Sequence, residues 1–306
     1  MNRNMNELVS IIMPSYKRHR EIVSRAIDSL INQTYENIEI ILVDDNAGTE
    51  LVEYRNELET IIKENADKRI KYIQNERNLG GAGARNEGIK MAKGEYITFL
   101  DDDDIYLPEK IEKQLEFMLK NELDMSFSKL NIYNENDKLI DVREHQLKSY
   151  ENQYLIKYHL TKQITGTPTF MMKKHVLDEI GGFEVVSMGQ EYYLMQKILL
   201  GKYKIGYFPE CYIKAYRTKA EAISTGKKKI GGEKALYKYK KKYFNILSFS
   251  EKQYVRCRHY AVMAVAYKRN KKYFQAFYNL VVAVFCSPKD AVKEAIALRK
   301  RINEVQ

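Results

Sequence analysis

Four consecutive aspartates, Asp101–Asp104, directly follow an apolar, β-forming segment that begins at Tyr96. Pro108 then opens a segment whose apolar residues have helical spacing. Adjacent carboxylates repel one another and Asp is a poor strand former, so folding alone does not favour such a run. A divalent cation would turn the repulsion into binding, because carboxylate oxygens are its preferred ligands. The alternative is a solvated acidic turn that caps the helix from Pro108.

Strand-forming and helix-forming segments alternate over the first 120 residues, with short loops between them. The predicted strands cover 8–14, 38–45, 70–74 and 96–101, and the predicted helices cover 20–31, 49–66, 84–92 and the segment from Pro108. The first two strands are apolar almost throughout, which is typical of parallel strands buried on both faces. The alternation therefore predicts a doubly wound, mostly parallel α/β sheet.

Polar residues stand at the carboxyl end of each of these strands. The four clusters are Pro14–Tyr16, Asp44–Asp45, the loop Arg77–Gly83 and Asp101–Asp104. In such sheets the carboxyl ends of the strands form one edge, and ligands bind there. The sequence therefore predicts that the four clusters share one site. An N-cap or turn is the alternative role for Asp44 and Asp45.

The glycine-rich segment Asn78–Gly83 precedes a predicted helix but lacks the G-x-G-x-x-G spacing of a dinucleotide-binding loop. A glycine loop at a helix N-terminus is suited to a pyrophosphate, because backbone N–H groups and the helix dipole favour anions. On this interpretation Gly81 belongs to a nucleotide site, and Arg77 or Arg85 neutralises phosphate. A surface ion pair is the alternative role for either arginine.

The strand and helix pattern loosens after residue 120. One strand with alternating faces is predicted at 124–133, a second at 138–142 and a third at 167–172. Glu191 opens a further predicted helix, after a loop that contains glycine. A glutamate there either complements the helix dipole or acts as a general base held on a rigid element.

Charge divides the chain near residue 214. Residues 1–213 carry 28 Lys and Arg against 35 Asp and Glu, whereas residues 214–306 carry 23 against 6. Residues 231–306 are predicted to be helical, after a basic loop at 216–230. So basic a surface is suited to an anionic membrane or a partner. A helical cap with a solvated lysine face is the alternative.

The cysteines indicate a reduced compartment. Cys211, Cys257 and Cys286 lie far apart without C-x-x-C spacing, so the sequence indicates neither a disulfide framework nor a zinc site. The N-terminus lacks the apolar segment of a signal peptide, and the longest apolar run is shorter than the ~20 residues that span a bilayer. The sequence therefore predicts a cytoplasmic location.

In this order the motifs resemble those of the inverting family 2 glycosyltransferases, which have the GT-A fold. The resemblance extends from Val9 to about Thr225, and its segments are 9–16, 40–45, 78–86, 94–104, 181–183 and 189–191. It implies a glycosyltransferase domain at 1–215, with a nucleotide-binding half at 1–105 and an acceptor-binding half at 106–215. The basic helical region is then a C-terminal appendage.

The resemblance also implies roles for single residues. The family's base and ribose contacts correspond by position to Pro14, Ser15, Tyr16 and Asp45. Asp101, Asp102 and Asp103 match the D-x-D motif, in which the last carboxylate, Asp103, holds Mn²⁺ or Mg²⁺; a register one residue later is the alternative. Glu191 corresponds to the catalytic base, and the family's usual acidic pair here reads Gln190-Glu191.

The implied reaction moves a sugar from a nucleotide-sugar donor, expected to be a UDP-sugar, to a hydroxyl of a glycan or lipid-linked acceptor with inversion. A divalent metal would neutralise the diphosphate leaving group. Surface polysaccharide or glycolipid biosynthesis is the expected setting. The basic helices would contact the inner face of an anionic membrane, and no nucleic acid is expected as a partner.

Two other functions fit part of the pattern. A sugar-1-phosphate nucleotidyltransferase would share the sheet and the metal carboxylate, but it needs a glycine-rich basic loop where this chain has Pro14–Arg18. A nucleic-acid binder would use the basic C-terminal region. That function leaves the aspartate run and Glu191 unexplained, because carboxylates repel phosphate.

Overall fold

The computed structural model describes residues 5–217 and 227–305. Strands and helices alternate in the first part as predicted. Its elements are β1 (Val9–Ser15), α1 (Arg20–Ile31), β2 (Ile38–Asp44), α2 (Val52–Asn65), β3 (Ile70–Gln74), α3 (Gly80–Met91) and β4 (Tyr96–Phe99). Strands β1 and β2 are buried along almost their whole length, as expected from their apolar sequences.

The middle of the chain mixes short strands with helices. Its elements are β5 (Ile105–Tyr106), α4 (Lys110–Lys120), β6 (Met125–Ser128), β7 (Leu130–Tyr133), β8 (Leu139–Arg143), α5 (Asn152–Lys162), β9 (Phe170–Lys173), α6 (Lys174–Ile180), α7 (Gln190–Leu200), β10 (Ile205–Phe208) and β11 (Ile213–Tyr216). The segment predicted as a strand at 167–172 begins with a short 3₁₀ turn, Thr167–Thr169, and the strand itself starts at Phe170.

Seven strands form the main sheet, in the order β10-β6-β9-β4-β1-β2-β3. Neighbouring strands run parallel except at β9, which is antiparallel to both β4 and β6. Val9 of β1 is in register with Ile38 of β2 and with Tyr96 of β4, so the three central strands start level and end at one edge. Apolar clusters cover both faces of the sheet. The predicted mostly parallel α/β sheet is confirmed.

The single strand predicted at 124–133 is wrong, because the segment forms two strands in two sheets. Strand β6 is buried on both faces between β9 and β10, and the Lys129 N–H donates to the Phe208 carbonyl (3.2 Å) where that pairing ends. In β7, buried Leu130 and Ile132 alternate with half-buried residues, as in a strand covered on one face. It joins a second sheet with the order β5-β11-β7-β8.

Four helices lie in the part of the C-terminal region that the structure describes: α8 (Lys227–Lys241), α9 (Phe249–Arg269), α10 (Tyr273–Cys286) and α11 (Pro288–Val305). Helix α9 begins at a capping box, in which the Ser248 Oγ accepts from the Glu251 N–H and the Glu251 carboxylate accepts from the Ser248 N–H. Of the predicted basic loop 216–230, residues 218–226 lie outside the described residues. No helix among the described residues is long and apolar enough to cross a bilayer.

These helices pack on the rest of the protein through α5 and α7. Leu247 and Val255 join Leu160 of α5 in one apolar cluster, and Leu236 of α8 joins the two tyrosines that follow Glu191 in α7. The beginning of α7 therefore contacts the C-terminal region on one side and the main sheet on the other.

Candidate active site

A cavity of about 240 Å³ lies at the carboxyl ends of the central strands. Nine of the eleven residues predicted from the sequence line it. The lining residues are Pro14, Ser15, Tyr16, Arg18, Asp45, Gly81, Ala84, Arg85, Asp101, Asp102 and Asp103. Arg77 is exposed to solvent and is not among them. Residues from all four predicted strand-end clusters therefore line one cavity.

Asp45 holds the glycine-rich segment in place at the cavity. Its buried carboxylate accepts from the backbone N–H groups of Leu79 and Gly80, both at 2.8 Å, and from the Asn75 side chain at 2.8 Å. A carboxylate at this position satisfies helix N–H groups that would otherwise lack a partner. Helix α3 consequently starts at Gly80, whereas the sequence predicted a loop until residue 84.

Asp44, the neighbouring carboxylate, is fully buried. One oxygen accepts from the backbone and the side chain of Asn46, each at 2.8 Å. The other accepts from the Arg55 Nε at 3.0 Å and the Tyr72 hydroxyl at 2.6 Å. Burial and this hydrogen bond raise the pKa of Tyr72. Since both oxygens are engaged within the fold, Asp44 stabilises the strand end.

The four consecutive aspartates alternate between the cavity and the protein interior. Asp101 and Asp103 are partly exposed, whereas Asp102 and Asp104 are buried. Asp102 accepts from the Tyr16 N–H (3.3 Å), and Asp104 accepts from the Tyr216 N–H (2.9 Å) of the second sheet. Burial raises the pKa of both interior carboxyl groups, and the neighbouring carboxylates raise it further.

Arg18, which the sequence interpretation missed, supplies positive charge to this run. Its Nε lies 2.9 Å from the Asp102 Oδ1, and its Nη2 lies 2.9 Å from the Asp103 Oδ2. Ion pairs of this geometry offset part of the repulsion between adjacent carboxylates. A signal was present, because Arg18 follows the cavity residue Tyr16 by two positions in the loop after β1.

The exposed aspartates have the donor chemistry for a metal ion that is shared with a diphosphate. Asp101 and Asp103 present carboxylates to the cavity, and no cluster of three or more ligating side chains occurs within 5–217 and 227–305. Mg²⁺ and similar ions in nucleotide sites are commonly bound by one or two carboxylates, with phosphates and water completing the shell. The residues present therefore fit such an ion, and Asp103 and Asp101 would be its protein ligands.

Arg85 connects the cavity to helix α7. Its guanidinium pairs with Asp101 and donates from Nη1 to the Gln190 Oε1 at 3.2 Å. The group lies 5.6 Å from the centre of the Phe183 ring. Its Nε is buried and has no hydrogen-bond partner. A buried cation at the cavity wall, with one donor unused, is suited to an anionic ligand.

Glu191 lies in a second cavity of about 320 Å³ that adjoins the first. Arg85, Asp101 and Asp103 line both, so the two cavities share a wall. Gly189 precedes α7 with a φ of 76°, a conformation that glycine adopts at no steric cost. The Glu191 carboxylate is partly exposed and forms no hydrogen bond or ion pair with any described residue. It is thus available to a hydroxyl that enters the cavity.

Residues 10–181 match the family model described as Glycosyl transferase family 2. An uncharacterized glycosyltransferase of Methanocaldococcus jannaschii is 33% identical over 210 residues, which cover 68% of this chain and 70% of the relative. WfgD of Escherichia coli, a UDP-Glc:alpha-D-GlcNAc-diphosphoundecaprenol beta-1,3-glucosyltransferase, is 41% identical over 129 residues. That match covers 42% of this chain and spans only about half of the relative, 48% of its length.

Solved structures share the fold at low sequence identity. TarS 1-349 of S. aureus in complex with UDP aligns with a TM-score of 0.54 and 18% identity, over 90% of each chain. The mannosyltransferase PcManGT from Pyrobaculum calidifontis, in complex with GDP-Man and Mn2+, aligns with a TM-score of 0.54 and 14% identity, over 98% of this chain and 84% of the other. With the family match over more than half of the chain, the protein belongs to glycosyltransferase family 2 and is a glycosyltransferase with the GT-A fold.

Proposed function

We propose that this enzyme transfers a sugar from a UDP-sugar to a hydroxyl of a lipid-linked glycan, with inversion, in surface polysaccharide or glycolipid biosynthesis. The observation that carries the proposal is the convergence of nine predicted site residues on one cavity whose wall adjoins the cavity of Glu191. The activity for which the relative WfgD is named supports UDP as the nucleotide and a lipid diphosphate as the acceptor's carrier. The family match favours this function over a nucleotidyltransferase or a nucleic-acid binder.

The donor would occupy the cavity at the strand ends. Pro14, Ser15 and the exposed ring of Tyr16 form its wall on the β1 side, and Asp45 and Gly81 form it on the α3 side. An aromatic face and strand-end carboxylates are suited to a nucleoside, as the resemblance also implies. These residues lie within 1–105 and Glu191 lies within 106–215, which supports the proposed division into a nucleotide-binding and an acceptor-binding half.

Positive charge surrounds the place of the donor's diphosphate. Arg18 and Arg85 line the cavity beside the aspartates. Asp103, with Asp101, would hold Mn²⁺ or Mg²⁺, which when bound neutralises the charge that develops on a leaving diphosphate. The alternation of exposed and buried aspartates supports the 101–103 register over the later one.

Glu191 would act as the general base. Its carboxylate takes the proton of the acceptor hydroxyl, and the hydroxyl oxygen forms a bond to the anomeric carbon as the bond from that carbon to the diphosphate breaks. A single displacement from the face opposite the leaving group inverts the configuration. The position of Glu191 on α7, in a cavity whose wall shared with the donor cavity contains Asp103, supports this division of labour.

Thermal unfolding with UDP, GDP and dTDP, each with and without Mn²⁺, tests the donor site. A ligand that binds only the folded state raises stability by about 2.7 kcal/mol at 100 times its Kd. We expect a stabilisation by UDP that requires Mn²⁺ and that Asp103→Asn abolishes. Asp28→Asn, an exposed change of the same kind on α1, is the control. If no nucleotide stabilises the wild-type protein in either condition, the proposal is wrong.

We also propose that helix α10 docks the enzyme on an anionic membrane at its inner face. The helix turns small or polar residues, such as Asn279 and Ala283, towards the protein. Its largest side chains are exposed: Tyr273, Phe274, Phe277, Tyr278 and Phe285. Residues 252–289 contain eight Lys and Arg and no Asp or Glu. Aromatic residues flanked only by positive charge are suited to an anionic lipid surface.

A further inference from the structure

A third cavity, of about 200 Å³, lies where α5 and α7 meet the C-terminal helices α8 and α9. Glu191 lines this cavity as well as the one that adjoins the donor site. The cavity therefore lies beside the proposed base, away from the strand ends. Its charged lining residues are Glu191, Glu233, Lys240, Arg258 and His259.

Lys240 is the most buried of these charged groups. Its residue is only 6% exposed, and its Nζ lies 4.8 Å from the centre of the Tyr192 ring. The ammonium group forms no hydrogen bond and no ion pair with any described residue. Burial, together with the positive charge of the nearby Arg258, lowers the pKa of Lys240 to about 7. A buried ammonium without a counter-charge is costly, so an anion in the cavity would stabilise it.

Arg258 adds a second cation to the same wall. Its Nη1 donates to the Thr161 carbonyl at 3.2 Å, which fixes the guanidinium between α9 and α5. A guanidinium has five N–H donors, so this contact leaves donors for a ligand. The first turn of α7, which begins after Gly189 at the cavity, adds the partial positive charge of a helix N-terminus.

Neither carboxylate in the cavity forms an ion pair with Lys240 or Arg258. Glu233 accepts from the His259 Nδ1 at 2.8 Å, and the His259 ring stacks on Tyr237 with centroids 3.9 Å apart. Glu233 is therefore engaged by its own partner. Glu191 also lines the second cavity, of about 320 Å³, where the acceptor hydroxyl is proposed to enter. Lys240 and Arg258 are therefore two cationic groups in the cavity wall that form no ion pair with a carboxylate of the described residues.

We propose that this cavity binds a phosphate group of the acceptor, with Lys240 and Arg258 as its cationic ligands. The inference rests on the proposed function, because a lipid-linked sugar carries its diphosphate close to the hydroxyl that Glu191 deprotonates. Binding the diphosphate here would hold that hydroxyl beside the base. Both arginine and lysine are established ligands of phosphate. The C-terminal helices are then part of the acceptor site.

Calorimetric titration in the presence of EDTA tests this site, with geranyl diphosphate, inorganic pyrophosphate and geraniol as the probes. We expect geranyl diphosphate to bind, and Lys240→Met or Arg258→Met to weaken it at least tenfold. Lys238→Met, an exposed lysine on the same helix, is the matched control and should bind like the wild type.

Several outcomes would overturn the inference. They are an absence of binding to the wild type, equal binding to the wild type and to Lys240→Met, and a loss in Lys238→Met as large as that in Lys240→Met. If pyrophosphate binds more tightly than geranyl diphosphate, the cavity is a site for free phosphate. The inference that it holds the phosphate of a lipid-linked acceptor is then wrong. The Mn²⁺-dependent stabilisation by UDP is measured on the same variants. If Lys240→Met keeps it while the wild type fails to bind geranyl diphosphate, only this inference fails.

Discussion

The Oδ2 atom of Asp103 lies 2.9 Å from the Nη2 atom of Arg18, so the carboxylate proposed to hold the metal ion is already paired with a cation of the protein. A positive charge this close disfavours a second cation, by several kcal/mol at the effective dielectric constant of about 20 that suits protein surfaces. The pair would keep the site weak for a metal ion until a diphosphate adds negative charge.

Replacement of Arg18 by Gln should therefore strengthen the binding of Mn²⁺ in the absence of nucleotide. We expect about a tenfold lower Kd, which corresponds to about 1.4 kcal/mol. Titration of Mn²⁺ by electron paramagnetic resonance measures it. Lys17→Gln removes an adjacent exposed charge that has no ion pair with the aspartates, and it should leave the Kd unchanged. Weaker or unaltered Mn²⁺ binding in Arg18→Gln would contradict the prediction.

Replacement of Glu191 by Gln should lower kcat without affecting the donor. The change keeps the shape of the side chain and removes its capacity to take a proton, which is typically worth 10²–10⁴-fold in rate. Stabilisation by UDP with Mn²⁺ should stay as in the wild type, since Glu191 lies outside the donor cavity. Glu53→Gln, an exposed change on α2, is the control. Transferase activity retained in Glu191→Gln would exclude it as the base.

The stability of the protein should depend on pH through Lys240. Its lowered pKa, about 7, means that above pH 7 the folded protein loses a proton that the unfolded chain keeps until about pH 10.4. The unfolded state then binds more protons, so the free energy of unfolding rises with pH, by at most about 1.4 kcal/mol per pH unit. Below pH 7 Lys240 is protonated in both the folded and the unfolded state, so the burial of its charge lowers the free energy of unfolding by its full amount.

Lys240→Met should therefore be more stable than the wild type at pH 6, and the difference should shrink towards pH 10. Urea denaturation at a series of pH values measures it. Arg258 lowers the pKa of this ammonium and Glu233 raises it. Both residues are kept in the wild type and in Lys240→Met. Lys238→Met should show no such trend. A constant difference between Lys240→Met and the wild type across this range would refute the assignment.

The exposed face of α10 should determine membrane binding. Replacement of Phe274, Phe277 and Phe285 by Ser removes apolar area that would enter the lipid interface, and we expect binding to vesicles with anionic lipids to fall at least tenfold. Sedimentation with such vesicles measures it. The matched control replaces three exposed apolar residues elsewhere, Val52, Leu139 and Val185. Equal binding of both triple variants to the vesicles would contradict the proposal.

The main sheet was predictable where a strand carries its own signal. Strands β1 and β2 are apolar on both faces, and that pattern is typical of central parallel strands. The break between β6 and β7 has a signal in the sequence, because the consecutive polar residues Ser128 and Lys129 shift the alternation by one position. The assignment of the two halves to different sheets was not predictable, since it depends on the pairing partners of each half. The antiparallel position of β9 also depends on its pairing partners and was not predictable either.

The site residues that lie at the carboxyl ends of the strands were predictable from the sequence, because those ends converge on one edge of the sheet. Pro14, Asp45 and Asp103 were found because each closes or follows an apolar strand. Arg18 and Lys240 were missed, because a cation in a basic stretch resembles its solvated neighbours until the fold buries it or pairs it. The helical start at Gly80 was missed because the hydrogen bonds from Asp45 outweigh the poor helix propensity of glycine.

Buried Tyr106 has a consequence for the aspartate run. Its hydroxyl contacts the carbonyl oxygens of Phe99 (2.6 Å) and Pro168 (3.0 Å), so one side chain closes the loop that carries Asp101–Asp104. Four identical residues would look the same after a slip of one position, and their sequence cannot define which two face the donor. Because Tyr106 fixes the length of the loop, each aspartate keeps its own position. The four side chains are chemically identical, but one cannot take the place of another. Insertion of a fifth aspartate there should inactivate the enzyme although an aspartate still occupies each of positions 101–104.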